Sequence, residues 1–246
     1  MIDTITSEFR KLLTIRSTYI TSTIALVLIG IIAFYFKGIK SDGAYSPFGD
    51  TGVQETVINL MPVVGIFVGI VALLHVCHEY RYNTIGYTLT ATNFRIKVLL
   101  AKTIVILAYA AAMTILAILF VSLLAPLGAK LGHATVPAQD FAFWDILWRS
   151  MAYMMSNAMV AMLFGFIFRN LVFSIVLYFV LPTTVEPLLT NLFKLDPNWT
   201  LISAQGHILM PNSQQFSPLA SLGVVALYIA AGWVIASALF VRRDAN

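Results

Sequence analysis

The sequence predicts an all-α integral membrane protein with six transmembrane helices, an N-terminal interfacial amphipathic helix and a re-entrant outer segment before the last span. Hydrophobic residues make up 59% of the 246 residues, and charged residues make up only 11%. A soluble domain carries about 25% charged residues, so this composition excludes a soluble enzyme and a disordered chain. Six apolar stretches reach or approach the length of about 20 residues that a helix needs to cross a bilayer.

Residues 1–16 are predicted to form the interfacial helix. Glu8, Lys11 and Thr14 fall on one helical face, and the opposite face is apolar. A helix of this kind suits the headgroup plane on the cytoplasmic side of a membrane. Its basic residues also resemble the start of a signal peptide, but the apolar run that follows is longer than such a peptide has, which favours an uncleaved span. The apolar face consists of Ile2, Ile5, Phe9, Leu12 and Leu13.

The predicted spans are residues 17–36, 56–76, 98–127, 146–168, 170–185 and 219–241. The fifth span is short and is predicted to end at Glu186, which begins the outer segment 186–218. This segment is largely uncharged, contains four prolines and has apolar patches. Short broken helices that dip into the outer leaflet are one interpretation, provided that other protein covers their backbone. A surface loop is the alternative. We treat 1–246 as a single transmembrane domain.

The distribution of Lys and Arg predicts that both termini are cytoplasmic. With the N-terminus inside and six alternating spans, the cytoplasmic segments hold ten basic residues and the outer segments hold five. We expect the protein in the plasma membrane, the inner membrane of a bacterial cell. The net charge of +4 then reflects orientation rather than a nucleic-acid partner. The ten inner residues are Arg10, Lys11, Arg16, Arg81, Arg95, Lys97, Lys102, Arg169, Arg242 and Arg243.

The sequence predicts no catalytic, cofactor-binding or metal-binding residue. No Gly is followed directly by Lys, so the phosphate-binding loop motif is absent and nucleotide-driven work needs a second polypeptide. His75, Cys77 and His78 lie close in sequence, but on a helix position 77 points away from 75 and 78. We therefore favour packed or interfacial histidines over a metal site. Cys77 is the only cysteine and has no partner for an internal disulfide.

Two features suggest a substrate path. Four methionines of the fourth span share one helical face, and methionine adapts to irregular apolar shapes, although ordinary core packing explains the same stripe. They are Met151, Met155, Met159 and Met162. Glu186 borders a span and is a candidate for the outer mouth of the path. In the second span, Gly65 and Gly69 permit close helix contact, either within the chain or across a dimer.

The connection between the second and third spans is a short polar stretch with an apolar centre, bracketed by charges. It closely resembles the signature of type-2 ATP-binding-cassette (ABC) exporter permeases, in which a Glu leaving the second span is followed by Gly-Thr, an apolar helix, Pro, Arg and a Lys entering the third span. Asn83 stands at the usual Gly position and Thr92 at the usual Pro position. The residues that carry the resemblance are Glu79, Thr84, Leu89, Arg95 and Lys102.

The resemblance implies that the permease pairs with a second permease chain, identical or different, and that each chain binds a cytosolic ABC ATPase. ATP and Mg²⁺ would then belong to the partner subunit, with no cofactor in this chain. Residues 79–97 would form the coupling segment, seated in a groove of the ATPase, with Leu89 and Phe94 as its apolar anchors. We expect Glu79 and Arg81 to pair with charges at the rim of that groove. Lys97 and Lys102 are expected to meet lipid phosphate instead.

The resemblance therefore implies that the chain is a subunit of an exporter that moves a hydrophobic or amphipathic substrate outward. An immunity or sensory permease module that acts on a membrane-active peptide is the alternative. A stand-alone channel or membrane enzyme is disfavoured because the spans lack a polar constellation.

Overall fold

The computed structural model describes residues 2–38, 52–82, 84–86, 95–131, 142–211 and 216–242. Throughout these ranges the regular elements are helices, and they form six candidate spans that are long and apolar enough to cross a membrane. The predicted all-α membrane fold is therefore confirmed. The helices are α1 Ile2–Thr14, α2 Arg16–Gly38, α3 Val53–Arg81, α4 Arg95–Leu131, α5 Phe143–Phe168, α6 Leu171–Val180, α7 Glu186–Phe193, α8 Leu201–Leu209 and α9 Pro218–Arg242.

The second and third spans are longer than a bilayer requires. Helix α3 has 29 residues and α4 has 37, whereas about 20 residues cross the hydrocarbon core. Their ends therefore project beyond the apolar layer. The end of α3 and the start of α4 lie beside α1, and we call this the α1 end of the bundle.

Helix α3 is the central helix of the bundle and packs against α2, α4, α5 and α6. Its glycines show why the neighbours come so close. A Cβ atom at Gly65 would lie 2.7 Å from Nδ2 of Asn157 on α5, and one at Gly69 would overlap the Tyr178 hydroxyl on α6. The Tyr178 hydroxyl in turn donates to Oδ1 of Asn157 at 2.5 Å. The glycine pair therefore makes close contacts within the chain.

The fifth span differs from the prediction of residues 170–185. The structure has a candidate span over Leu171–Phe193, made of α6, a π-helical turn at Leu181–Val185 and α7. The prediction ended the span at Glu186 because a carboxylate is costly in an apolar helix. This carboxylate instead accepts hydrogen bonds from the backbone N–H groups of Leu201 and Ile202, so the helix continues past it.

Residues 186–218, which were predicted as the outer segment, begin with α7, the end of the fifth candidate span, and continue with a 3₁₀ turn and α8. Helix α8 packs on α5 and α9, where Ala204 and Ile208 join Val224 and Val225 in a small apolar cluster. The segment therefore contains short helices, as one of the two sequence interpretations expected. Its entry into the bilayer stays a prediction.

The turn between α5 and α6 is held by Arg169, whose backbone lies in the left-handed region with φ 54°. Its guanidinium carbon lies 5.1 Å from the centre of the Tyr80 ring on α3, a cation–π contact. A guanidinium nitrogen also donates to the carbonyl oxygen of Leu239 on α9 at 3.5 Å. Arg169 therefore joins α3, the α5–α6 turn and α9 at the α1 end.

Candidate functional site

Five ionisable side chains from three helices meet at the α1 end, and we call them the ion cluster. Glu8 and Lys11 come from α1, His75 and Glu79 from α3, and Lys102 from α4. Lys102 Nζ lies 2.6 Å from Glu8 Oε2 and 3.0 Å from Glu79 Oε1. Lys11 Nζ lies 2.7 Å from Glu8 Oε1 and 2.7 Å from Glu79 Oε1. Two ammonium groups and two carboxylates therefore alternate, and each ammonium contacts both carboxylates.

Most of the ion cluster is buried. The side chains of Glu8 and Lys102 are each 1% exposed, and that of Glu79 is 9% exposed. Removing one member of a buried ion pair leaves an uncompensated charge, which typically costs about 3–5 kcal/mol. The cluster therefore ties α1, α3 and α4 together through contacts that are costly to break singly.

The pKa values of the α1 members reflect these contacts. Burial pushes the pKa of Glu8 up, but the neighbouring His75, Lys102 and Lys11 more than offset it, and the pKa lies well below its ordinary value. Burial lowers the pKa of Lys11, but Glu79 and Glu8 outweigh it, so that pKa is raised. Both residues therefore stay ionised at neutral pH. His75 Nε2 lies 3.2 Å from Glu8 Oε2 and closes the cluster from the side of α3.

The ion cluster corrects two sequence-based expectations. Lys102 was expected to meet lipid phosphate, but it is buried and pairs with carboxylates of the same chain. Glu8 was assigned to the polar face of the interfacial helix, yet it is buried and turned towards α3 and α4. Glu79 pairs with Lys11 and Lys102 of the same chain, and its expected pairing with charges on a partner stays a prediction. A signal for this existed, because Lys102 lies inside an apolar run and needs a buried counter-charge there.

A cleft of about 710 Å³ opens beside the ion cluster, between the end of α1, the start of α2 and the end of α3. It combines cationic, hydroxyl and imidazole groups with one carboxylate. Its lining residues are Lys11, Thr14, Ile15, Arg16, Ser17, His75, His78, Glu79, Tyr82 and Thr84.

The remaining predicted coupling residues lie next to this cleft or beyond the described chain. Arg81 is exposed and its guanidinium carbon lies 5.6 Å from the Tyr82 ring centre. The Thr84 backbone N–H donates to the Glu79 carbonyl at 2.9 Å, which starts the connection. Leu89 and Phe94 lie outside the described residues, and Arg95 is the first residue of α4. The structure therefore brings Glu79, Arg81 and Thr84 together at one end of α3.

The methionines predicted for the substrate path lie along α5. Met159 and Met162 are buried in the main apolar core, whereas Met151 and Met155 are half-buried. None of the four lines a cavity of about 200 Å³ between α3, α5, α6 and α8. The polar residues of that cavity are uncharged, and they were missed because their contacts join distant parts of the sequence. They are Tyr153, Asn157, Tyr178, Thr183 and Gln205.

Glu186 lies at the end of the bundle opposite to α1. Its carboxylate accepts from two backbone N–H groups at the start of α8, as described above. This arrangement satisfies otherwise unpaired donors at a helix N-terminus and favours the negative charge there. The structure thus gives Glu186 a role in holding α8, and its predicted role at a path mouth stays a prediction.

The histidine and cysteine cluster of α3 does not form a metal centre within the described residues. No group of three or more His, Cys, Asp or Glu side chains is arranged to hold a metal ion in those ranges. Cys77 is buried against α5, where its sulfur lies near Gly165. His75 instead faces Glu8.

Comparison with known protein families gives a match over most of the chain. A family model described as ABC-2 family transporter protein matches residues 4–184. The matched region contains the ion cluster, the described part of the coupling segment and the first half of the fifth span. The comparison with curated proteins found no match.

Proposed function

The chain belongs to the ABC-2 family of transporter proteins, and we propose that it is the permease of an exporter driven by a separate cytosolic ABC ATPase. Membership makes it a membrane subunit of an ABC transporter. The proposal adds that it works as a homo- or heterodimer, moves a hydrophobic or amphipathic substrate outward and lies in the plasma membrane with both termini cytoplasmic.

The ion cluster is the observation that carries this proposal. Glu79 lies in the last turn of α3, the predicted coupling segment 79–97 follows, and Lys102 lies near the start of α4. Glu79 and Lys102 contact each other at 3.0 Å, and Lys102 contacts Glu8 of α1 at 2.6 Å. A displacement of the coupling segment would therefore be transmitted to α1, α3 and α4 together. A permease that receives mechanical work from a cytosolic partner needs this kind of connection.

The cavity between α3, α5, α6 and α8 supports the substrate class. Its lining residues are apolar or uncharged polar, with Phe164 and Phe179 among the apolar ones. A fixed charge on a substrate would have no counter-charge there and would carry a desolvation cost. A hydrophobic or amphipathic compound therefore fits this part of the molecule better than an ion.

The proposed orientation is testable with two positions at opposite ends. Tyr82, which follows α3, is 64% exposed, and Asn198 is half-buried in the outer segment. In a Cys77→Ser background, an impermeant thiol reagent applied to intact cells should label Asn198→Cys but not Tyr82→Cys. The same reagent should label Tyr82→Cys once the cells are opened. Labelling of Tyr82→Cys in intact cells would reverse the orientation.

The experiment that tests the function changes the coupling segment. We expect Leu89→Asp to leave membrane insertion intact but to release the ATPase, because burial of such a side chain in a partner groove contributes roughly 1.5–3 kcal/mol. Thr90→Asp adds the same charge at the next position and should retain more of the partner. The measurements are co-purification of the partner ATPase and ATP-driven transport in vesicles. Full binding and transport by Leu89→Asp would contradict the proposal.

A further inference from the structure

The cleft beside the ion cluster contains buried polar atoms that the described residues do not satisfy. Within those residues, Ser17 Oγ, His75 Nδ1 and Glu79 Oε2 have no hydrogen-bond partner, and all three residues line the cleft. The side chains of His75 and Glu79 are 1% and 9% exposed. Buried polar groups almost always have a partner in a protein, in water or in a ligand. The cleft thus presents a hydroxyl, an imidazole nitrogen and a carboxylate oxygen to a polar ligand.

The polar groups of the cleft differ between its walls. On the wall formed by α2, Arg16 is exposed and its guanidinium has no partner among the described residues. The first N–H groups of this 23-residue helix add positive partial charge on the same wall. On the α3 wall, both lysines contact Oε1 of Glu79 and match its charge, which leaves Oε2 as an open hydrogen-bond acceptor. One wall therefore attracts an anion, and the other accepts hydrogen bonds from a donor such as an ammonium group.

The position of the cleft matches the headgroup layer of a membrane. Arg16 begins one candidate span, and the span of α3 ends at Arg81, so the cleft lies where two spans leave the apolar layer. Helix α1, which borders the cleft, leaves Ile2, Phe9 and Leu13 exposed. An amphipathic helix beside the bilayer buries such residues among acyl chains. A lipid of the adjacent leaflet therefore has its headgroup at the depth of the cleft.

We propose that the cleft binds the headgroup of phosphatidylethanolamine. The phosphate faces Arg16, Ser17 and the start of α2, and the ammonium group donates hydrogen bonds to Glu79 Oε2. Phosphatidylcholine carries the same charges, but its methylated nitrogen has no N–H to donate. Phosphatidylglycerol supplies the phosphate and hydroxyl donors, but no cation for the carboxylate. We expect the cleft to bind phosphatidylethanolamine most tightly, phosphatidylglycerol less tightly and phosphatidylcholine least tightly.

The first test compares lipids that differ only in the headgroup. The purified full-length chain is freed of lipid in detergent, and its binding of phosphatidylethanolamine and phosphatidylcholine with identical acyl chains is measured by native mass spectrometry. We expect about tenfold stronger binding of the ethanolamine lipid, because hydrogen bonds to charged groups are the strong ones. Equal binding of the two lipids would overturn the proposal.

The second test compares two arginines. Arg16→Gln removes the charge that faces the phosphate, whereas Arg10→Gln removes the same charge from an exposed position of α1 that does not line the cleft. We expect Arg16→Gln to weaken ethanolamine-lipid binding by about tenfold and Arg10→Gln to change it by less than about twofold. Ser17→Ala is a milder second variant that should weaken binding in the same direction. Equal losses for both arginine variants, or no loss for Arg16→Gln and Ser17→Ala, would contradict the assignment.

A third test separates a lipid headgroup from free phosphate. Water-soluble phosphoethanolamine should displace the bound ethanolamine lipid, while inorganic phosphate at the same concentration should not, because phosphate alone leaves Glu79 Oε2 without its ammonium partner. Equal displacement by the two compounds would reduce the cleft to a simple anion site. That result would refute the aminophospholipid assignment.

Discussion

The two ends of the bundle use carboxylates in opposite ways. At the α1 end, Glu8 and Glu79 contact two lysines and join three helices that are far apart in sequence. At the other end, the Glu186 carboxylate accepts hydrogen bonds, among the described residues, only from backbone N–H groups of a short helix, and the ion pair Arg149–Asp145 stays within α5. The first arrangement couples helices to one another, and the second holds a single local element.

The two spans that carry Glu79 and Glu186 also differ in burial. In α3, 61% of the most apolar 18-residue stretch is buried inside the protein, whereas only 11% is buried in the fifth span, which ends in α7. Elements with few buried contacts open at lower free energy than the core. We therefore expect the α1 end to move as one unit and the α7–α8 region to move on its own.

Loss of the buried lysine should give the largest effect. Lys102→Met leaves Glu8 without its 2.6 Å contact and Glu79 without its 3.0 Å contact, and we expect a loss of about 3–5 kcal/mol in the free energy of unfolding. Lys97→Met removes the same charge from an exposed position of the same helix and should change stability by less than about 1 kcal/mol. The measurement is the midpoint of SDS-induced unfolding in mixed micelles.

A compensating variant sharpens this prediction. Glu8→Gln combined with Lys102→Met removes one charge of each sign, so the double variant should be more stable than Lys102→Met alone. Equal stability of the single variants Lys102→Met and Lys97→Met would show that the ion cluster does not hold the α1 end together.

The sequence predicted the spans well because each span is recorded in a continuous run of apolar residues. It did not predict the ion cluster, because Glu8 and Lys102 are 94 positions apart and only the packing of α1 against α4 brings them together. The fifth span was predicted too short for the same reason. The groups that satisfy Glu186 lie 15 and 16 residues further along the chain. Local sequence patterns thus predict the helices, but they do not predict polar contacts between residues that are distant in sequence.

The glycine contact in the middle of the bundle should give the next largest effect. A Cβ at Gly69 overlaps the Tyr178 hydroxyl, so Gly69→Ala should destabilise the protein by about 1–3 kcal/mol through overpacking. Gly223→Ala on α9 is the matched control, since a Cβ there meets no atom of the described ranges within 4 Å. It should be neutral or slightly stabilising, because Ala favours a helix more than Gly does. The same unfolding midpoint measures both, and equal values would refute the close α3–α6 contact.

At the end opposite to α1, the expected effect is smaller and local. Glu186→Ala removes the acceptor of two backbone N–H groups at the start of α8, and loss of a helix cap costs about 1 kcal/mol. Hydrogen exchange should therefore speed up over Leu201–Leu209 without a change at the α1 end. Glu55→Ala removes an exposed carboxylate from the first turn of α3 and should leave α8 protected. Faster exchange throughout the bundle in Glu186→Ala would contradict a local role.

The smallest expected effect is the pH dependence of the ion cluster near neutrality. The pKa of Glu8 lies below its ordinary value of 4.5, so its contribution is fully present above pH 4.5 and is lost as the pH falls through the folded-state pKa. The pKa of Lys11 lies above 10.5, so its contribution is present below pH 10.5 and is lost as the pH rises through the folded-state pKa. The stability difference between the wild type and Glu8→Gln should therefore stay constant over roughly pH 7.5 to 9.5. It should shrink as the solution is acidified below pH 4.5. Asp3→Asn, which removes an exposed carboxylate of α1, should show a smaller difference from the wild type. If the Glu8→Gln difference disappeared between pH 9.5 and 7.5, Glu8 would not be held ionised by Lys102 and Lys11.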